Sequence, residues 1–174
     1  MKKTNRMANQ AMIAAIYTVV SVTLSAITYG PVQIRVSEAL TLLPVFAFSN
    51  IWGVTIGCFL TNLIGFFTGA NILGGLDMIF GTLATFAAAV CTYLLRNVRI
   101  KNIPFPSAIP PVIFNAFVVG WELCAFINNG VFNPVIFWTQ AAAVGAGQLV
   151  SCAVLGLIMV KIVDNNKELR QRLS

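Results

Sequence analysis

The chain has 174 residues, of which 58% are hydrophobic and 9% charged, with no histidine and a formal net charge of +6. Soluble domains carry about a quarter charged residues to solvate their surface, so this composition excludes a water-facing globular exterior and specifies an integral membrane protein. The positive charge sits in short clusters beside apolar stretches (Lys2, Lys3, Arg6; Arg96, Arg99, Lys101; Lys161, Lys167, Arg170, Arg172), with Arg35 alone elsewhere. That is the pattern of loops retained on the cytoplasmic side, and it leaves no nucleic-acid surface.

A spanning helix needs about 20 mostly apolar residues. The first such stretch runs from Met7 to Thr28, and the "MKKTNRMANQAM" before and into it lacks a small-residue cleavage signal, so no removable signal peptide is expected. Glu38 to Phe67 is ambiguous, being one long crossing or two short ones broken around Pro44 and "SNIWG". If the basic N-terminus and the basic loop Arg96 to Lys101 share the cytoplasmic side, the number of crossings between them is even. The stretch therefore divides into a short helix over 37–49 and a second over 51–67. Three more follow, over 76–95, 107–127 and 131–163. The expected fold is an all-α bundle of six transmembrane helices in a single membrane domain, with both termini cytoplasmic. Its short second helix cannot cross upright and needs shielding by its neighbours.

This topology places Arg35 alone on the outer side, with Glu38, Asp77 and Glu122 at or near the outer ends of spans two, four and five. Ionisable groups at membrane depth are expensive and normally face a bundle interior or a wet cavity. Arg35, Glu38, Asp77 and Glu122 are thus candidates for one polar pocket. Asn71, Asn115 and Gln140, with Asn62 and Gln148, supply amides, and Trp121, Tyr29, Phe66, Phe67 and Phe126 supply aromatic walls. A carboxylate can accept from two adjacent N–H groups, so an acid lined by aromatic faces suits a flat heterocycle with an amidine-like edge. Plainer roles exist for each. Ser37 and Glu38 also read as a helix start, with Ser37 the cap and Glu38 favoured by the dipole, and Asp77 after "NILGG" reads the same way. Arg35 is also close enough in sequence to pair with Glu38, and Trp121 suits an interfacial anchor.

On the first span, Ala8, Ala11, Ala15, Thr18, Val22 and Ser25 follow a spacing of three and four along one face. Small residues let another helix approach closely in lipid. Taken alone, such a stripe is better explained by packing inside the bundle. Cys58, Cys91, Cys124 and Cys152 show no paired short spacing and read as small buried hydrophobes, so no metal site is expected. The absence of a phosphate loop, of histidine and of a nucleophile elbow argues against an enzyme and assigns any ATP hydrolysis to another subunit.

"VQIRVSEALTLLPVF", Val32 to Phe46, resembles the signature of the QueT family, the queuosine-precursor substrate-binding subunits of energy-coupling-factor (ECF) transporters. The resemblance extends over nearly the whole chain, including the basic N-terminus, the "NILGGLD" loop and the six-span layout. It implies an S-component of an ECF-type ABC importer in a prokaryotic cytoplasmic membrane. Such a subunit has no cofactor of its own and joins a membrane scaffold subunit and two cytosolic ATPases. The implied ligand is a 7-deazaguanine queuosine precursor, such as the aminomethyl base or queuine, taken from the outer side and carried inward. An aminomethyl group would bring a cation needing a second acid. The class also implies an alanine-x-x-x-alanine contact with the scaffold, which Ala11 and Ala15 match. The alternatives are an S-component for another vitamin or heterocycle, a small intramembrane enzyme, or a structural partner of a larger complex.

Overall fold

The computed structural model describes residues 3–29 and 34–173, so Lys2 of the basic N-terminus and Val32 and Gln33 at the start of the motif lie outside it. Among the described residues the chain is all-helical apart from an isolated bridge between Ile100 and Ile103. Four helical stretches among the described residues are long and apolar enough to cross a membrane: Asn50–Thr68, Gly75–Leu94, Phe105–Ile127 and Pro134–Asn165.

The first stretch forms α1 (Lys3–Thr23) and a separate turn, α2 (Ser25–Thr28). The break falls at Leu24, whose φ of −99° and ψ of 29° leave the α region. α1 packs on α3 (Asn50–Thr68) through Ile13, Ala14, Tyr17 and Thr18. The approach is close because α3 offers glycine there: a Cβ on Gly57 would lie 2.7 Å from the Tyr17 Cβ, and one on Gly53 2.9 Å from the Ile13 Cβ. In lipid, such backbone proximity replaces the hydrophobic effect as the source of helix association. Thr18 Oγ1 donates to the carbonyls of Ala14 and Gly57, at 2.9 and 3.2 Å, so this member of the small-residue stripe belongs to the packed face. Ala8, Ala11 and Ala15 are exposed on the other side of α1, so internal packing does not account for them.

The expected short helix over 37–49 is a 3-10 helix, Val36–Val45, buried on almost every side. The tighter winding has a geometric consequence. At roughly 2.0 Å rise per residue, ten residues reach about 20 Å, against about 15 Å for an α-helix of the same length. The segment is thus about two-thirds as long as a hydrocarbon layer of about 30 Å is thick, and its neighbours shield it.

After α4 (Gly75–Leu94), a 3-10 turn, Phe105–Ala108, leads into α5 (Ile109–Ile127). Pro110 and Pro111 sit in the first turn of α5, where an N–H has no intrahelical partner to lose. α6 (Pro134–Gln148) begins under an asparagine cap, Asn133 Oδ1 accepting from the amides of Val135 and Ile136 at 3.0 and 3.2 Å. It continues through a π-helical stretch, Leu149–Gly156, into α7 (Leu157–Asn165), and α8 (Lys167–Leu173) closes the chain. The under-wound π stretch lies against the over-wound 3-10 helix, with the Cys152 thiol donating to the Glu38 carbonyl at 3.5 Å.

Contacts at one end gather distant parts of the chain. Asn9 donates to the Arg172 carbonyl, Asn50 Nδ2 to the Leu173 carbonyl at 2.9 Å, and Arg99 Nη1 pairs with Asp164 at 3.0 Å. Tyr29, the α3–α4 connection and the C-terminus of α5 lie toward the opposite end, where Arg35, Glu38, Asp77 and Glu122 collect.

Candidate functional site

Four segments converge there on a buried polar cluster. Arg35, Glu38, Asp77 and Glu122 are all buried, the three acids with no exposed surface at all. The α3–α4 connection supplies the first part. Gly74, at φ +60°, adopts a backbone that a side chain would strain, and it caps α4 so that Asp77 enters in the first turn. Asp77 Oδ2 then accepts from Arg35 Nη2 at 2.6 Å and from Asn71 Nδ2 at 2.7 Å, while Asn62 Nδ2 donates to the Asp77 carbonyl at 2.9 Å. The Arg35 guanidinium also lies over the Tyr29 ring, 5.6 Å from its centroid, and Tyr29 donates its phenol proton to the Thr61 carbonyl at 2.9 Å.

Arg35 therefore pairs with Asp77, not with Glu38. Ser37 is no helix cap either: Arg35 holds the cap position without a side-chain bond, and the Ser37 hydroxyl meets the Ser21 hydroxyl at 2.5 Å. Glu38 turns toward α1, where its Oε1 accepts from the Tyr17 hydroxyl at 2.5 Å. Tyr17 is absent from the sequence-derived set. Its signal was a phenol inside an apolar span, since a buried tyrosine hydroxyl needs a partner.

α5 supplies the other wall. Asn115, Val119 and Glu122 lie along one buried face, at helical spacings of four and three. Neither carboxylate oxygen of Glu122 has a partner, nor does the Asn115 Nδ2. Glu122 lies within electrostatic reach of Asp77 and Arg35, and Asn115 stands close to Glu38. A buried charge without a partner is costly, so an unmatched carboxylate needs a proton or a partner from elsewhere.

The other expected residues lie apart. Trp121 is exposed and stacks edge-on against Phe80, with ring centroids 5.8 Å apart. Gln140 is half-buried on α6 outside this hydrogen-bond network, and Phe66, Phe67 and Phe126 point outward. Tyr29 is the member of the expected aromatic wall that touches the cluster. Among the described residues no group of three or more His, Cys, Asp or Glu is arranged to hold a metal ion.

The chain is 42% identical over 79 residues to the queuosine precursor transporter QueT of Lactococcus lactis subsp. cremoris, an alignment covering 44% of this chain and 47% of that protein. The match thus spans less than half of either chain. No solved structure gives a significant match. The family description "QueT transporter" matches residues 7–165, nearly the whole length, and the chain belongs to that family of transporters.

Proposed function

We propose that the protein is the substrate-binding subunit of an ECF-type importer, binding a 7-deazaguanine queuosine precursor in the buried polar cluster. Glu122 carries the assignment of the site: a carboxylate without a hydrogen-bond partner, fully buried within electrostatic reach of Arg35 and Asp77. The name of the lactococcal relative supports the ligand class. Arg35, Glu38, Asn71, Asp77, Asn115 and Glu122 form the proposed site, with Trp121 and Gln140 at its periphery.

The proposed topology has six crossings. Asn9, Asn50, Arg99 and Asp164 share one end, so the chain makes three out-and-back passages between them. The basic clusters gather at that end, which the positive-inside rule places in the cytoplasm of a prokaryotic cell, together with both termini. The polar cluster then lies toward the outer side. Ala11 and Ala15, exposed in a stripe of small side chains on α1, form the proposed contact with the membrane scaffold subunit, and two cytosolic ATPases supply the energy.

Uptake tests this reading. Cells that cannot make deazaguanines, expressing this chain with an ECF scaffold and its ATPases, should accumulate labelled precursor, and an ATPase-dead variant should stop it. Accumulation of a different vitamin instead would move the protein to another substrate class, and accumulation without the ATPases would remove the ECF assignment.

A further inference from the structure

The structure shows how much accepting capacity each buried acid has left, and the three are not equivalent. Asp77 is the most committed. Its Oδ2 holds Arg35 and Asn71, and its Oδ1, though without a hydrogen bond, is packed against its own helix so closely that a Cβ on Gly81 would collide with it. The Arg35–Asp77 pair is also electrically neutral, which leaves two acids uncompensated. Glu38 has Oε1 taken by Tyr17, and its Oε2 makes no close hydrogen bond although the Asn115 side chain stands near it. Glu122 has both oxygens bare.

A ligand that satisfies this site has to match those vacancies. Two adjacent N–H groups on a planar ring need both oxygens of one carboxylate, accepted side by side. Only Glu122 offers that pair. A single ammonium group needs one oxygen and a negative charge, which Glu38 offers at Oε2. We infer that Glu122 receives the paired N–H edge of the heterocycle and Glu38 receives a cationic amine on its side arm, while Asp77 stays with Arg35 and does not touch ligand. The division rests on the reading of the cluster as a deazaguanine site. It makes the protein selective for precursors whose arm is positively charged over those whose arm is neutral.

Two ligands separate the roles: the aminomethyl deazaguanine base and the nitrile-bearing base, which share the ring edge and differ in arm charge. Their affinities are measured on the purified protein in detergent, for wild type, Glu38→Gln, Glu122→Gln and Glu122→Asp. Wild type should prefer the aminomethyl base by about ten-fold or more, the scale of one charge-assisted bond. Glu38→Gln should lose that preference, and saturable binding of the nitrile base that remains shows that it is folded. Glu122→Gln should weaken both ligands by about ten-fold or more, and Glu122→Asp, which keeps both acceptors, should recover part of the loss. The opposite pattern, with Glu122→Gln erasing only the arm preference, overturns the assignment, as does equal affinity of wild type for the two bases. If wild type binds neither base, the deazaguanine reading itself falls.

Discussion

Asp77 and Arg35 stand 42 positions apart in the chain, yet each is the other's condition for being buried. Breaking a buried pair by removing one partner costs about 3–5 kcal/mol, because the other charge stays behind without water. Arg35→Met should therefore lower thermal stability sharply in detergent, and Arg35→Met with Asp77→Leu should recover most of the loss; a double variant as unstable as the single one would contradict this pairing. Tyr17→Phe removes the donor held by Glu38 Oε1, at a cost of about 1–3 kcal/mol for a buried acceptor left bare. That the ionisable residues lay in one place was legible in the sequence, because charge is scarce in lipid and its positions follow from topology. Which residue pairs with which was not. Arg35 and Glu38 are close in sequence, but the 3-10 helix turns Glu38 toward Tyr17 on α1, and Arg35 reaches across to the first turn of α4. Pairing depends on how helices rotate against one another, and apolar spans that face lipid on one side and protein on the other carry little pattern that fixes that rotation.

Helix positions were legible from length and hydropathy, and the parity of basic loops located the short second helix without any periodic signal. Its 3-10 winding, and the π-helical stretch of the last long helix packed against it, were not. Both follow from fitting non-ideal lengths side by side, with Leu42 seated against Gly156, where a Cβ would come within 3.2 Å of it. The close approach of α1 to α3 is the matching feature on the other flank. Gly57→Val would drive a branched side chain into Tyr17 and move the donor that holds Glu38. The expected cost is about 1–3 kcal/mol for overpacking, read as a fall in melting temperature, together with weaker ligand binding. Gly69→Ala, at the exposed C-terminus of α3 with no neighbour within 4 Å, should leave ligand binding unchanged and carry only the strain of its positive φ.

Across the whole molecule, the described basic residues other than Arg35 gather with α8 and the start of α1 at one end, the buried acid cluster lies toward the other, and the small-residue face of α1 runs along one side. Replacing Ala11 and Ala15 by leucine should abolish recovery with the scaffold and ATPases while leaving ligand affinity unchanged, since both side chains are exposed and face away from the buried Tyr17 and Ser21. Recovery undiminished by those changes would remove the interface assignment. The central claim, that the buried acids form the binding site of a deazaguanine carrier, is tested most directly by titrating the purified wild-type protein and its Glu122→Gln variant with the aminomethyl deazaguanine base. Saturable binding of one ligand per chain, weakened about ten-fold or more by the variant, is the predicted result. Equal affinity of the two proteins, or no saturable binding by wild type, would contradict it.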